Sequence, residues 1–171
     1  MEQMYQYPNL LSGTRSGKGW TYQGPAGGVV IYSEMIKALA LQGTSKNEFF
    51  MFSPPVVLHK NTDYTLHCFA ANTANMSSTD IWVLDTGGSS GSYQWLGAYL
   101  VGKNPGPGGA WLDWTFRLDA NARDGVPFNI RFDNNGSTDG KNALIWFRDI
   151  MLTEGTEPHA WAPAEGEVWP E

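Results

Sequence analysis

The stretch AWLDWTFRLD, residues 110–119, decides the fold class because apolar and polar side chains alternate along it from Leu112 to Asp119. Successive side chains of a strand point to opposite faces, so this alternation is typical of a strand with one buried side. The two faces differ in chemistry: Leu112, Trp114, Phe116 and Leu118 share one, and Trp111, Asp113, Thr115 and Arg117 share the other. We expect the first set to lie in a core and Trp111 to lie outside it.

Strand-like stretches recur around this segment at intervals of about ten residues. DYTLHCFAAN (63–72), DIWVLDTGG (80–88) and SYQWLGAYLVG (92–102) precede it, and the loop KNPGPGG (103–109) leads into it. Residues 126–155 predict two further strands joined by a polar loop, as in a hairpin. Short strands separated by turn residues predict an all-β fold, a two-sheet antiparallel β-sandwich.

The segment VVIYSEMIKALALQG, residues 29–43, is ambiguous. Ile31, Met35 and Leu39 keep helical spacing, whereas the β-branched and aromatic residues at its start favour a strand. We expect two short strands here, with a helical turn as the alternative.

The composition indicates one domain with an acidic surface. The chain has 171 residues, of which 42% are hydrophobic and 16% charged, and its formal net charge is −6. Because nucleic acids and anionic membranes bind clustered Lys and Arg, neither is expected as a partner. The single cysteine, Cys68, excludes an internal disulfide, and the first residues lack the basic and apolar regions of a signal peptide.

The chain divides into three parts by its residue types. Residues 1–20 are predicted to be an irregular N-terminal segment, residues 21–155 hold the strands of the sandwich, and residues 156–171 form a C-terminal tail. Prolines keep this tail extended. Trp161 is the expected anchor that packs the tail against the domain.

No motif of a known catalytic class is present, so the chain is predicted not to be an enzyme. His67 and Cys68 are neighbours in one strand and point to opposite faces, which prevents a pairing of thiol and imidazole. Asp113 and Asp119 are the default candidates for a glycosidase carboxylate pair, whose spacing in space the sequence does not reveal.

Two acidic segments raise the question of a metal ion. The loop DNNGSTDG, residues 133–140, is rich in oxygen ligands but departs from the register of an EF-hand, which favours a loop that binds its own backbone. Asp149 is predicted to share a strand face with Phe147 and Met151, where a carboxylate needs an ion, an arginine or backbone donors. We expect no cofactor, with a structural Ca²⁺ at Asp149 as the alternative.

A stripe of aromatic and charged residues is the candidate binding surface. Its members are Tyr93, Trp95, Tyr99, Trp111, Asp113 and Arg117. Flat rings can stack on the C–H face of a pyranose while charged groups bind its hydroxyls, so the stripe suits a saccharide. Core packing and a subunit interface are the alternatives, because Trp, Tyr and Arg are enriched at interfaces.

The closing segment FRDIMLTEGTEPHAWAPAEGE, residues 147–167, resembles the last strand and tail of jelly-roll, carbohydrate-binding-module-like domains in phage virion proteins. The matching positions are Ile150, Leu152, Glu154, Gly155, Trp161, Pro163 and Ala164. The opening PNLLSGT (8–14) and the strand DYTL (63–66) also fit that family. This chain has Thr-Glu-Gly where the family usually has Glu-Lys-Gly.

The resemblance implies a non-catalytic jelly-roll module of a tail fibre, baseplate or capsid-decoration protein. Such a protein is made in the host cytoplasm and acts on the virion, outside the cell. Its implied partners are other virion proteins and host cell-wall polysaccharide, and a homo-oligomer is a further expectation. Two alternatives stay open: a purely structural decoration or attachment protein without glycan binding, and the carbohydrate-binding appendage of a glycoside hydrolase.

Overall fold

The computed structural model describes residues 7–85, 94–118 and 120–167, with residues 94–102 described by their backbone. Within these ranges the chain forms strands in the following order: β1 (Thr21–Gln23), β2 (Val29–Ser33), β3 (Ala38–Gly43), β4 (Phe49–Phe52), β5 (Val56–Leu58), β6 (Thr62–Asn72), β7 (Thr79–Asp85), β8 (Gln94–Lys103), β9 (Ala110–Leu118), β10 (Val126–Asn134) and β11 (Ala143–Glu154). In the described part of the chain, no helix is long and apolar enough to cross a membrane.

The strands form two antiparallel sheets that pack face to face. Sheet 1 has the order β1-β4-β10-β7-β8, with β5 also paired to β10, and sheet 2 has the order β2-β3-β11-β6-β9. Every strand pair in both sheets is antiparallel. The predicted two-sheet antiparallel sandwich is therefore confirmed, and its strand order is that of a jelly roll.

The core lies between the two sheets and is rich in phenylalanine. Phe132 of sheet 1 and Phe147 of sheet 2 are fully buried, and their ring centroids are 4.8 Å apart in an edge-to-face contact. Burying one such side chain stabilises the fold by about 1.5–3 kcal/mol. The alternation predicted for residues 110–118 is confirmed, because Leu112 and the apolar residues in register with it are buried while Trp111 is exposed.

Two local predictions have opposite outcomes. Residues 29–43 form the two short strands β2 and β3, as expected. The predicted hairpin between β10 and β11 is wrong, because β10 pairs with β4, β5 and β7 in sheet 1 while β11 pairs with β3 and β6 in sheet 2. The polar loop between them crosses from one sheet to the other instead of turning back within one.

This crossing loop is held by its own side chains, as the sequence indicated. Asn134 accepts a hydrogen bond from the Gly136 amide (3.0 Å), and Asp139 accepts one from the Lys141 amide (2.9 Å). A hydrogen bond from Asn75, together with that amide bond, lowers the pKa of Asp139 to about 2. Gly136 has a φ of 108°, and a Cβ there would lie 2.4 Å from the Lys46 carbonyl oxygen, so only glycine fits.

The segments that flank the sandwich pack against each other and against β11. The Asn9 side chain donates to the Ile150 carbonyl (2.6 Å) and accepts from the Leu152 amide (3.0 Å). Trp161 donates from its indole nitrogen to the Thr14 hydroxyl (2.9 Å), and its ring lies 3.5 Å from the guanidinium carbon of Arg15. The tail is thereby fixed to the N-terminal segment at one flank of the domain.

Candidate functional site

The predicted surface residues that the structure describes lie in two different sheets, so they do not form one stripe on a single sheet face. Trp95 and Tyr99 lie on β8 in sheet 1, whereas Trp111 lies on β9 in sheet 2. Asp113 and Arg117 accompany Trp111 on the outer side of β9. Tyr93 and Asp119 lie outside the described residues. The surface that can be built from side chains is therefore that of sheet 2.

An aromatic platform covers the outer face of sheet 2 and consists of His67, Phe69, Trp111 and Trp146. Strand register sets its order, since Phe69 on β6 lies directly opposite Trp111 on β9, with β11 on its other side. The centroid of Phe69 is 5.4 Å from that of Trp111, in an edge contact, and 5.6 Å from that of Trp146. These are the separations at which aromatic rings attract each other, so the rings form one continuous surface.

Trp111 is the exposed end of this platform. Trp111 is 51% exposed, because β9 is the last strand of sheet 2 and its outer face is open to solvent. The His67 ring stacks on it with centroids 4.8 Å apart and planes 7° from parallel. An exposed indole fixed in orientation by its neighbours is a feature of binding surfaces more than of solvated ones.

The charged residues predicted beside Trp111 already have partners. His67 Nδ1 and Asp113 Oδ1 are hydrogen-bonded to each other, across directly opposed positions of β6 and β9. Arg117 forms an exposed ion pair with Asp63 at 3.2 Å. Both aspartates lie beside the platform, and each has a side-chain partner on the neighbouring strand.

Sequence reasoning missed three members of the platform and one charged neighbour. The alternation of β6 already placed His67 and Phe69 opposite Cys68, but only sheet membership shows that this face meets Trp111. Trp146 and Arg148 were not recognised because β11 reads as apolar on both faces. The Arg148 guanidinium carbon lies 4.4 Å from the Phe69 centroid, which places a cation on the platform.

The outer face of sheet 1 has similar residues, but its charged side chains are buried and paired with each other. Arg131 lies 4.0 Å from the Phe50 centroid and 6.0 Å from that of Trp82. It donates to Asp133 (2.7 Å), and the two side chains are only 10% and 0% exposed. Burial raises the pKa of Asp133 to about 7, although the neighbouring guanidinium acts in the opposite direction.

Asp149 has an arginine as its partner, one of the three possibilities that the sequence left open. Its carboxylate accepts from Arg15 at 2.8 Å. The predicted shared face with Phe147 and Met151 is wrong, since the register of β11 shifts between Arg148 and Met151 and Asp149 takes a φ of 52°. Such a bulge reverses which residues face outward. Among the described residues, no group of three or more His, Cys, Asp or Glu side chains could hold a metal ion.

The single thiol is not positioned for chemistry. Cys68 is fully buried, and desolvation holds its pKa well above the usual range. Its neighbour His67 lies on the outer face of sheet 2, so the predicted separation of thiol and imidazole is confirmed. A protonated thiol in the core acts as a small apolar side chain.

Similar folds are found among solved structures of carbohydrate-binding modules. A family 4 carbohydrate-binding module is 16% identical, with a TM-score of 0.59, over 84% of this chain and 100% of that one. The N-terminal cellulose-binding domain of β-1,4-glucanase C from Cellulomonas fimi is 19% identical, with a TM-score of 0.59, over 88% and 99%. A family 16 module is 17% identical, with a TM-score of 0.53, over 85% and 99%.

This chain has the jelly-roll fold of carbohydrate-binding modules. At such identities the likeness concerns the fold alone. No protein-family model matches the chain, and no curated protein sequence matches it. The virion setting implied by the closing segment has no counterpart in these comparisons and stays a prediction.

Proposed function

We propose that this domain binds saccharide without catalysis and that the aromatic platform of sheet 2 is its binding surface. The observation that carries the proposal is Trp111, a half-exposed indole held in orientation by His67 and Phe69. The fold supports it, because solved structures with a similar architecture include carbohydrate-binding modules of families 4 and 16.

The platform suits a sugar chain that runs across the strands. Trp111 and Trp146 lie two strands apart, with β6 between β9 and β11, and adjacent strands are about 4.8 Å apart. Two pyranose units of one chain could therefore each rest on an indole while Phe69 fills the space between them. Hydroxyl groups at the rim would reach Asp113, His67 and Arg148.

The test is binding to a panel of soluble polysaccharides, measured by affinity electrophoresis and then by calorimetry. We expect Trp111→Ala to weaken binding at least about tenfold, equivalent to roughly 1.4 kcal/mol. Val57→Ala is the matched control, since Val57 is 54% exposed and lies on β5 in the other sheet. Retention of full affinity by Trp111→Ala would place the site elsewhere.

Two further variants separate the competing surfaces. Trp82→Ala probes the outer face of sheet 1, on the strand that pairs with β8. Loss of binding in Trp82→Ala but not in Trp111→Ala would assign the ligand to sheet 1. Absence of binding to every glycan, with a stable oligomer in light scattering that Trp111→Ala dissociates, would instead support a structural subunit interface.

The biological setting is a separate part of the proposal. The closing segment favours an accessory module of a phage tail, baseplate or capsid, acting outside the cell on host wall polysaccharide. The Cellulomonas fimi structure favours an appendage of a glycan-degrading enzyme, since that cellulose-binding domain comes from a glucanase. The genes that flank the coding sequence, virion or hydrolase, distinguish these two settings, and in both the isolated domain should release no sugar from any substrate.

A further inference from the structure

Arg148 differs from the other arginines of the described chain because it has no carboxylate partner. Each of the others is paired with an aspartate, at 2.5–3.2 Å. The pairs are Arg15–Asp149, Arg117–Asp63, Arg123–Asp85 and Arg131–Asp133. In a chain with 17 acidic and 11 basic residues, an arginine left without an acid is unexpected and calls for a physical account.

The position of Arg148 explains why no acid reaches it. Its neighbours across the sheet are Ala38 on β3 and Phe69 on β6, neither of which carries a charge. The guanidinium lies over the Phe69 ring, and its Nε is buried and makes no hydrogen bond. The nearest acid along the chain, Asp149, is turned away by the bulge and bound to Arg15.

A cation–π contact compensates only part of the desolvation of such a guanidinium. It is worth about 0.5–2 kcal/mol, whereas a buried donor without a partner costs about 1–3 kcal/mol. The planar guanidinium fork matches a carboxylate or a phosphate with two parallel hydrogen bonds, which are stronger than bonds to neutral hydroxyls. An anionic group on the platform would give Arg148 the carboxylate-type partner that the described chain does not supply.

We propose that the platform is selective for acidic saccharides and that Arg148 binds their anionic group, a carboxylate or a phosphate. This inference rests on the proposed saccharide-binding function and names the class of its ligand. Of the neighbouring aspartates, Asp63 is paired with Arg117, and Asp113 is hydrogen-bonded to His67. The sugar ring of the acidic unit would stack on Trp111 or Trp146 while its anion reaches Arg148.

The experiment compares acidic polymers with neutral polymers of the same backbone. Polygalacturonate is paired with its fully methyl-esterified form. A polyol-phosphate teichoic acid, whose charges lie in the backbone itself, is the second acidic arm and is compared with the same neutral polymer. We expect wild type to bind at least one acidic polymer about tenfold more tightly than the neutral form. Arg148→Met should abolish this preference, Arg148→Lys should retain part of it, and Val57→Ala, on the other sheet, should leave it unchanged.

The outcomes separate this inference from the function on which it rests. An unchanged preference in Arg148→Met, or a wild-type preference for the neutral polymer, overturns the inference while Trp111-dependent binding keeps the proposed function. Absence of binding to every polymer overturns both. Preference for polygalacturonate assigns a uronic acid, and preference for teichoic acid assigns a phosphate. Circular dichroism and thermal melting of each variant show that the losses do not come from unfolding.

Discussion

The outer face of each sheet has an arginine that lies over a phenylalanine ring, but only one of these arginines is paired with a carboxylate. On sheet 1, Arg131 lies over Phe50 and is paired with Asp133, and both charged groups are buried. On sheet 2, Arg148 lies over Phe69, and no carboxylate in the described chain reaches it. Arg131 completes an internal ion pair. Arg148 has no such partner, and under our proposal it binds the anionic group of a ligand.

The difference has a simple origin in the strands. Arg131 and Asp133 stand two residues apart on β10, so regular alternation places both on one face. On β11, the residue two positions after Arg148 is Ile150, which faces the core, because the bulge at Asp149 disturbs the alternation. The regular alternation of β10 therefore gives Arg131 a carboxylate partner on its own strand, whereas the bulged strand β11 gives Arg148 none.

The largest expected effect comes from breaking the buried ion pair of Arg131 and Asp133, called the closed pair below. At pH 8, where Asp133 is ionised in the wild type, Arg131→Met should destabilise the fold by about 3–5 kcal/mol, because it leaves the Asp133 carboxylate buried without its cation. Arg148→Met should cost about 2 kcal/mol or less, since it removes only a cation–π contact. Urea unfolding of both variants measures the contrast. Equal losses of unfolding free energy in the two variants would show that Arg131 is no more structural than Arg148.

A double variant checks the physical reason for that loss. Adding Asp133→Asn to Arg131→Met removes the remaining buried charge. We expect the double variant to be more stable than Arg131→Met alone, because a buried ion that lacks its partner is the costly species. A double variant less stable than the single one would mean that lost packing, and not an unpaired charge, dominates.

The closed pair should also make stability depend on pH. Burial raises the pKa of Asp133 to about 7, while an aspartate in an unfolded chain titrates near 4. Between these values the folded state binds a proton that the unfolded state has lost, so this contribution to stability is full below about pH 4 and is lost as the pH rises to about 7.

Denaturant unfolding between pH 4.5 and 7.5 measures this dependence. Asp133→Asn is the comparison, since it removes the titrating group, whereas Arg148→Met leaves it in place. We expect the free energy of unfolding of wild type to fall more steeply with rising pH than that of Asp133→Asn. Parallel curves for these two proteins would contradict a raised pKa at Asp133.

The sequence predicted the positions of the strands better than the way in which the strands pair into sheets. The alternation around Trp111 depends on local geometry, and it gave the correct inner and outer sides of β9. Sheet membership depends on contacts between distant residues, which local patterns do not encode. Consecutive strands β8 and β9 belong to different sheets, as do β10 and β11, so both the predicted stripe and the predicted hairpin failed for the same reason.

The candidate site was predicted only in part for a related reason. Trp111 and Asp113 were placed on an outer face by alternation, but their companions Phe69 and Trp146 come from strands far away in the sequence. The bulge in β11 was also not predicted, because the residue with the positive φ is Asp149 and not a glycine, which would have indicated it. A β-bulge is a feature of strand pairing, so a single sequence rarely reveals it.

The smallest expected effect concerns Arg117, which resembles Arg148 in type and sheet but already has a partner. Its ion pair with Asp63 joins side chains that are 54% and 35% exposed, and such pairs contribute less than about 1 kcal/mol. Arg117→Gln should therefore change the free energy of unfolding by less than about 1 kcal/mol and the affinity for acidic polymers by no more than about twofold. Calorimetry beside Arg148→Met makes the comparison. A loss in Arg117→Gln equal to that in Arg148→Met would mean that the net charge of the face, and not an unpaired guanidinium on an aromatic ring, selects the ligand.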